Sequence, residues 1–572
     1  MTFMGCRPEF CSCFVLSYTH YLLLMSRLQS EGGRPMAFPD VPGVVVPSPL
    51  GAADDAPVIN AALASGASVV LLPAMTINCG STLNIPYGVE LRGAAFNAIL
   101  WPGGTTQFPT ALRFAAGVAT CITMGTGSDN IPMALTNIHV TRAGTSAPPA
   151  GSIGVSVYGG YNVRLENVMV SRHAIGYSFK ENVPAGAGIS AKVSGLYSSA
   201  ISDVHLLVDS WPELYINGGR LGQNGTEDLT CNAYIRVTGG AGSGAQGPNS
   251  LIVEQVQFNQ GNVNAKPAHW IQFSSLVNTG SNALEYKFTD CHIEGVGTSF
   301  ITSNSATDSI TQLNIASCTF NQPEVPFFGL HANTTLNNCS ITSCDIFTSL
   351  FRLAPTNQVN DLAVSNCRIT PGETQLLFTG SSTVSFSDMS FGSNVRVGGS
   401  GVVNFSNPTF TAGSFVFGDP AYPRANKMSI VNYGAETSSI GIAINGVTTG
   451  IAYSLQTASW QFNGNRVDIA FRIGITNKGS QVGPVALTNL PVPFDLSYGG
   501  QGAGGGVLTL WENMSGLTSP VILSTQLSSG GAATQAGLWM SSATGRTAVT
   551  TSNLNPSVAN PTRLFGTLSY TF

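Results

Sequence analysis

FTDCHIEG, residues 288–295, sets a cysteine, a histidine and a glutamate side by side or one residue apart. Such a cluster can hold a metal ion, carry acid/base chemistry, or form one strand with a polar outer face. The rest of the chain decides between these readings, because the stretch is one copy of a recurring pattern.

From about residue 134 a four-residue core returns: a turn residue, a small apolar residue, a polar residue and a larger apolar one. It reads NIHV (137–140), NVMV (167–170), DVHL (203–206), GGRL (218–221), QVQF (255–258) and DCHI (290–293). It continues as SCTF (317–320), NCSI (338–341), NCRI (366–369), DMSF (388–391) and NPTF (407–410). The second and fourth residues are apolar and the third polar, which is strand alternation. The spacing is irregular, so the units are coils joined by loops of different lengths. Val256, Cys291, Cys318, Cys339 and Cys367 are therefore expected to stack inside a solenoid. The residues before them, mostly Asn, Asp or Ser, suit a bend.

This repeat orients FTDCHIEG. Phe288, Cys291 and Ile293 point inward, Asp290 marks the bend, and His292 and Glu294 share the outer face. Cys291 and His292 thus face opposite ways and cannot ligate one ion together, so neither a metal nor a cofactor is implied. In stacked coils equivalent positions form columns. The column through His292 is expected to collect His205, Arg220, Gln257, Thr319, Ser340 and Arg368. The column through Glu294 is expected to collect Gly222, Asn259, Asn321, Thr342 and Thr370. Glu254 takes the outward position matching Thr289, across the bend, and neighbouring segments add Trp211, Glu213, Glu227, Asp228 and Trp270.

Composition agrees with a β-rich solenoid. Of 572 residues only 9% are charged, against roughly 25% in typical domains, while 43% are hydrophobic and 65 are glycine. A net charge of −5 and the lack of a basic patch argue against nucleic acid as a partner. Of the 11 cysteines, Cys231, Cys291, Cys318, Cys339, Cys344 and Cys367 lie within apolar alternation, which reads as buried thiols. Residues 9–25, EFCSCFVLSYTHYLLLM, are too short to span a bilayer and lack a small-residue cleavage site, so membrane insertion is not expected. Met36 opens a more coherent beginning. Residues 1–35 read as a mis-assigned start, with a leader or atypical export signal as the alternatives, and 36–53 as a segment able to serve for attachment. DDAPVINAALASG (54–66) reads as a short amphipathic helix capped by Asp54 or Asp55.

The helix, the brief strands of LLPAMTINCGSTLNIPYGVELRG and the N-C-x-I/F rungs together resemble the pectate-lyase-like, right-handed parallel β-helix superfamily, which includes bacteriophage tailspikes and polysaccharide lyases. The expected fold is all-β: a right-handed parallel β-helix over 54–425, then an antiparallel β-sandwich over 426–572. Strict alternation at Val467, Ile469, Phe471, Ile473 and Ile475, and Leu568, Tyr570 and Phe572 on one face, mark this second region. It resembles the small C-terminal β domain of many phage tail fibres and spikes, and that resemblance implies a homotrimer. Gly500, Gly502 and Gly505 satisfy G-x-G-x-x-G, but no strand-to-helix unit surrounds them, so a flexible loop is expected there.

A tailspike resemblance implies a bacterial surface polysaccharide as substrate, a tail or baseplate adaptor as partner, and a place on the virion tail acting outside the host cell. Glycosidic cleavage needs two carboxyl groups. Glu294 is the first choice, supported by the C-H-x-E rung that tailspike-like chains often carry, with Glu254, Asp228, Glu227 and Glu213 as partners in that order. His292, Gln257, Arg220, Trp211 and Trp270 are the candidate sugar-binding residues. Three alternatives remain at this point: a spike that binds without cleaving, a secreted lyase or hydrolase, and a Glu294 that is only a surface residue paired to Lys287 or Arg220.

Overall fold

The computed structural model describes residues 43–571, except for 95–107, 126–131, 145–146, 161, 181–189, 210, 212, 223–230, 240–249, 260–265, 275–284, 305–307, 354–356, 379–382, 400–401, 417–426, 438–439, 465, 491–500, 517–520, 527–534 and 543–544. The expectations for residues 1–42 lie outside the described residues.

A helix, Ala56–Leu63, closes the first coils. It buries Ala56, Ile59, Ala62 and Leu63, the apolar spacing that marked it in the sequence. Asp54 rather than Asp55 supplies the cap bond. Its Oδ1 accepts from the Ala56 amide at 3.0 Å and the Gly80 amide at 2.7 Å, which ties the helix to the first rungs. Asp55 instead accepts from the Gly51 and Ala52 amides.

From there the strands pair in parallel, coil upon coil, as a right-handed β-helix with three faces. One central coil shows the plan. Strand Glu285–Thr289 lies on the first face, His292–Glu294 on the second and Ser299–Ser303 on the third. Each pairs with its equivalent one coil away, as in Thr289 with Glu254, His292 with Gln257 and Ile301 with Ile271.

The bend between first and second faces is a single left-handed residue. Gln255, Asp290, Ser317, Ser343, Asn366, Asp388 and Asn407 all have φ between 51° and 56°. Non-glycine residues enter that region at a cost, least for Asn and Asp, which is why those residues recur. The bends also bond one another: Asn366 Nδ2 donates to Ser343 Oγ at 3.2 Å, and Asn407 Nδ2 to Asp388 Oδ1 at 2.8 Å. Asn366→Ala is expected to cost about 1–2 kcal/mol, and Asn366→Gly to recover the backbone part of it. Chemical denaturation of both variants checks this, and equal loss from both would remove backbone strain as the cause.

Inside, the residue after each bend forms a ladder of Val256, Cys291, Cys318, Cys344, Cys367 and Met389, all buried. Cys344, not Cys339, belongs to it. NCSI (338–341) lies on the first face, where Ile341 pairs with Ile315, and SCDI (343–346) is the true equivalent of DCHI. DVHL is likewise displaced: Val204 and Leu206 pair with Ala233 and Ile235 on the third face. All eight described cysteines are buried free thiols. Beside the ladder, aromatic rings run from Phe258 through Trp270, Phe320, Phe327, Phe351, Phe386 and Phe405 to Phe415, with neighbouring centroids 4.8–6.3 Å apart.

The strand Lys427–Thr437 joins the two regions. It pairs in parallel with the last coil and in antiparallel with Ile451–Gly464. Antiparallel pairing then continues through Arg466–Lys478, Thr562–Thr571 and Gln501–Glu512, and on through Val521–Gln526 and Ala536–Ser542 to Val485–Thr488. Val467, Ile469, Phe471, Ile473, Ile475, Leu568 and Tyr570 are buried, while Phe572 is outside the described residues. The glycine stretch corrects the expected loop, since Gly502 and Gly505 lie in the strand Gln501–Glu512. Glycine serves close approach there: a Cβ on Gly506 would meet the Thr567 carbonyl oxygen at 2.0 Å.

Candidate functional site

Glu294 stands on the outer side of the second face, at the end of a three-residue strand. Gly295, with φ 68°, turns the chain away immediately afterwards. The buried Tyr234 hydroxyl crosses the coil to donate to the Glu294 carbonyl oxygen at 3.1 Å, fixing the strand end.

The carboxylate of Glu294 is held from three directions. Asn259 Nδ2, from the coil below, donates to Oε2 at 2.7 Å. Asn321 Nδ2, from the coil above, donates to Oε1 at 3.2 Å. His292 Nε2 lies 3.0 Å from Oε1, with both side chains about a third exposed (39% and 32%). This carboxylate is anchored yet open to a ligand, and its imidazole neighbour can exchange a proton with it. The pairing with Lys287 is not seen; that ammonium lies 4.0 Å from Glu254 instead. Burial pulls the Arg220 guanidinium down to about 10, against the upward pull of the Glu294 carboxylate, so Arg220 stays cationic at neutral pH. Gln257 occupies the rung between Arg220 and His292.

Register corrects the columns. Through His292 run Tyr197, Arg220, Gln257, Thr319, Asp345 and Arg368. Through Glu294 run Asn321, Phe347 and Thr370. Ser340 and Thr342 belong to the first face, opposite Asn314 and Ala316. Asp345 and Phe347 replace them, and both are exposed. Reading SCDIF (343–347) as the rung would have found them, since Phe347 follows its bend as Glu294 follows Asp290.

The other expected residues are dispersed. Glu254 is across the bend, where Tyr215 Oη donates to Oε2 at 2.7 Å and Asn217 Nδ2 donates to Tyr215 Oη at 3.1 Å. Glu213 is exposed and pairs with Ser250, four residues before Glu254, or roughly 13 Å along the strand at 3.3 Å per residue. Glu227 and Asp228 lie outside the described residues. Trp211 and Trp270 are fully buried and cannot stack on a ligand. Trp211 packs edge-on against Phe179 at 5.5 Å and donates Nε1 to the Glu213 carbonyl oxygen at 2.8 Å. Trp270 sits in the aromatic interior.

His205 is likewise inside rather than on the outer face. It is fully buried, its Nδ1 2.7 Å from Ser198 Oγ, and burial pulls its imidazole down to about 3. His173, 3.1 Å from Cys121 Sγ, is pulled to about 3 by burial and by Arg142. Below the ordinary value of 6.5 the unfolded chain takes up protons that the folded chain refuses. Stability present above pH 6.5 is therefore lost as pH falls toward 3, at up to about 1.4 kcal/mol per histidine per pH unit. Denaturation midpoints should drop between pH 6.5 and pH 5, and less steeply in His205→Phe. An equal slope in that variant would show that His205 does not carry the effect.

No protein-family model and no curated protein matches this chain. Several solved structures are similar. A mutant tailspike protein of E. coli bacteriophage HK620, in complex with a pentasaccharide, is 11% identical over 92% of this chain and 91% of that one, with a TM-score of 0.38. The Dettilon tailspike protein is 12% identical over 92% and 94%, with a TM-score of 0.32. The A-module of the Azotobacter vinelandii mannuronan C-5 epimerase AlgE6 is 11% identical over 66% and 94%, with a TM-score of 0.28.

Proposed function

We propose that this chain is a phage or prophage tailspike that binds a bacterial surface polysaccharide, capsule or O-antigen, along the second face and cleaves it by acid/base hydrolysis. The observation that carries the reading is Glu294, held by Asn259, Asn321 and His292 and still partly exposed. Protonated, it gives its proton to the glycosidic oxygen as that bond to the anomeric carbon breaks, and water supplies the new hydroxyl there. His292, 3.0 Å away, restores the proton. Glu254 remains the first choice for the carboxylate that activates water, with Asp228, Glu227 and Glu213 after it. Gln257 and Arg220 then meet the sugar hydroxyls.

The C-terminal β domain would hold a homotrimer, and an adaptor would join it to the tail or baseplate. Exposed Leu455, Val507 and Leu510, and a depression of about 900 Å³ lined by Arg472, Leu510, Phe565 and Thr567, support subunit contact there.

The test is size-exclusion of purified capsular and O-antigen polysaccharides, from a panel of candidate hosts, before and after incubation with the protein. Shortened polymer with new reducing ends establishes hydrolysis, and new double bonds would make it a lyase. One observation favours a binding-only spike: both Glu294 oxygens accept hydrogen bonds, and among the described residues the groups that reach them include no second carboxyl. A polymer whose elution shifts without ever shortening would select that reading.

A further inference from the structure

We infer that Phe347, Asp345 and Arg368 form a second sugar subsite, suited to an uncharged pyranose, two coils beyond Glu294. This rests on the second face being the polysaccharide-binding face. Phe347 is 37% exposed; the other large hydrophobic side chains exposed among the described residues are aliphatic and lie beyond residue 450. In its column the neighbours are Glu294, Asn321 and Thr370, all polar, so an outward phenyl ring is out of keeping with the wall around it. Leaving that much apolar surface in water is unfavourable unless something covers it.

The surroundings fit a sugar ring. The next residue in the Phe347 column, Thr370, is buried, and a Cβ on Gly392 would come within 2.5 Å of its Cγ2, so only small side chains adjoin the ring on that side. In the adjacent column stand Asp345 and Arg368, exposed and paired in register. Neither has an ion-pair partner among the described residues. A pyranose laid on Phe347 covers the ring with its C–H face, while Asp345 accepts from hydroxyls and Arg368 donates to them. The opposite charges leave the subsite without net charge, so it offers an acidic sugar no net attraction over a neutral one. Coils stack about 4.8 Å apart, so Phe347 stands roughly 10 Å from Glu294 along the axis. Asn321 lies between them to meet the intervening residue. The polymer therefore runs parallel to the solenoid axis, and its repeat presents a neutral sugar at this distance from the cleaved bond.

Saturation-transfer NMR with the methyl glycosides of glucose, galactose, mannose, rhamnose and N-acetylglucosamine, and with methyl glucuronide, tests this on the full chain. The expected result is transfer to ring C–H protons of at least one neutral glycoside and no stronger transfer to the glucuronide. The signal should fall about tenfold in Phe347→Ala and survive in Phe347→Trp. Circular dichroism should be the same in all variants, because Phe347 lies on the surface. Transfer that persists in Phe347→Ala, no transfer from any neutral glycoside, or preference for the glucuronide overturns the subsite. Loss of polymer cleavage with glycoside transfer intact would instead overturn the depolymerase reading alone.

Discussion

Glu294→Gln is expected to slow polymer cleavage by about a hundredfold to ten-thousandfold, the usual contribution of a positioned general acid, while polymer binding remains. The substitution keeps shape and removes only the titrating group. Of the two amides that hold the carboxylate, one can still donate to the glutamine oxygen, and the other meets an NH₂. Some local rearrangement follows, but the outer face carries no core packing, so stability should change little. Size-exclusion of the cleaved polymer gives the rate, and elution shift of the same polymer gives binding. Retained cleavage would remove Glu294 from the chemistry and leave it as an anchored surface residue. Simultaneous loss of cleavage and binding would make Glu294 a sugar ligand first. His292→Gln separates the roles further: if His292 only resupplies the proton, that variant keeps binding and loses part of the rate.

The alternation and the bend residues made the coil plan legible in the sequence, since Asn, Asp and Ser at each left-handed position have a physical reason to be there. FTDCHIEG was read in its true orientation for the same reason, because period two allows only one assignment of faces once Cys291 is inside. Register was harder. NCSI and SCDI lie in one coil, separated only by Thr342, and obey the same rule, so local pattern cannot tell which follows the bend; only the pairing of Ile346 with Phe320 and Ile369 decides. That slip hid Asp345 and Phe347. Partnership between carboxylates was illegible for another reason. Glu254 and Glu294 sit on faces separated by the bend, and the angle there is a property of stacked coils, not of either strand.

The tryptophans failed in a different way, and their correction gives the second large effect. Tryptophan suits sugar faces and coil interiors equally, and composition alone does not choose. Trp270 is fully buried, with its ring centroid 5.8 Å from Phe258, 4.9 Å from Phe288 and 5.2 Å from Phe320, so it joins three successive coils. Trp270→Ala should cost about 3–5 kcal/mol, from lost burial plus the cavity left among rings that cannot collapse. In a solenoid each coil is stabilised chiefly by its neighbours, so the loss should appear as faster amide exchange around residues 251–320 before any global change. Among the described residues the indole Nε1 has no hydrogen-bond partner. Trp270→Phe therefore removes an unsatisfied donor while keeping an aromatic ring, and should cost much less than the alanine variant. Polymer binding by Trp270→Phe should equal that of the native chain, because the ring never reaches the outer face. A Trp270→Phe protein that is stable yet fails to bind polymer would return this tryptophan to the site, and would mean that the coil opens there to admit a sugar.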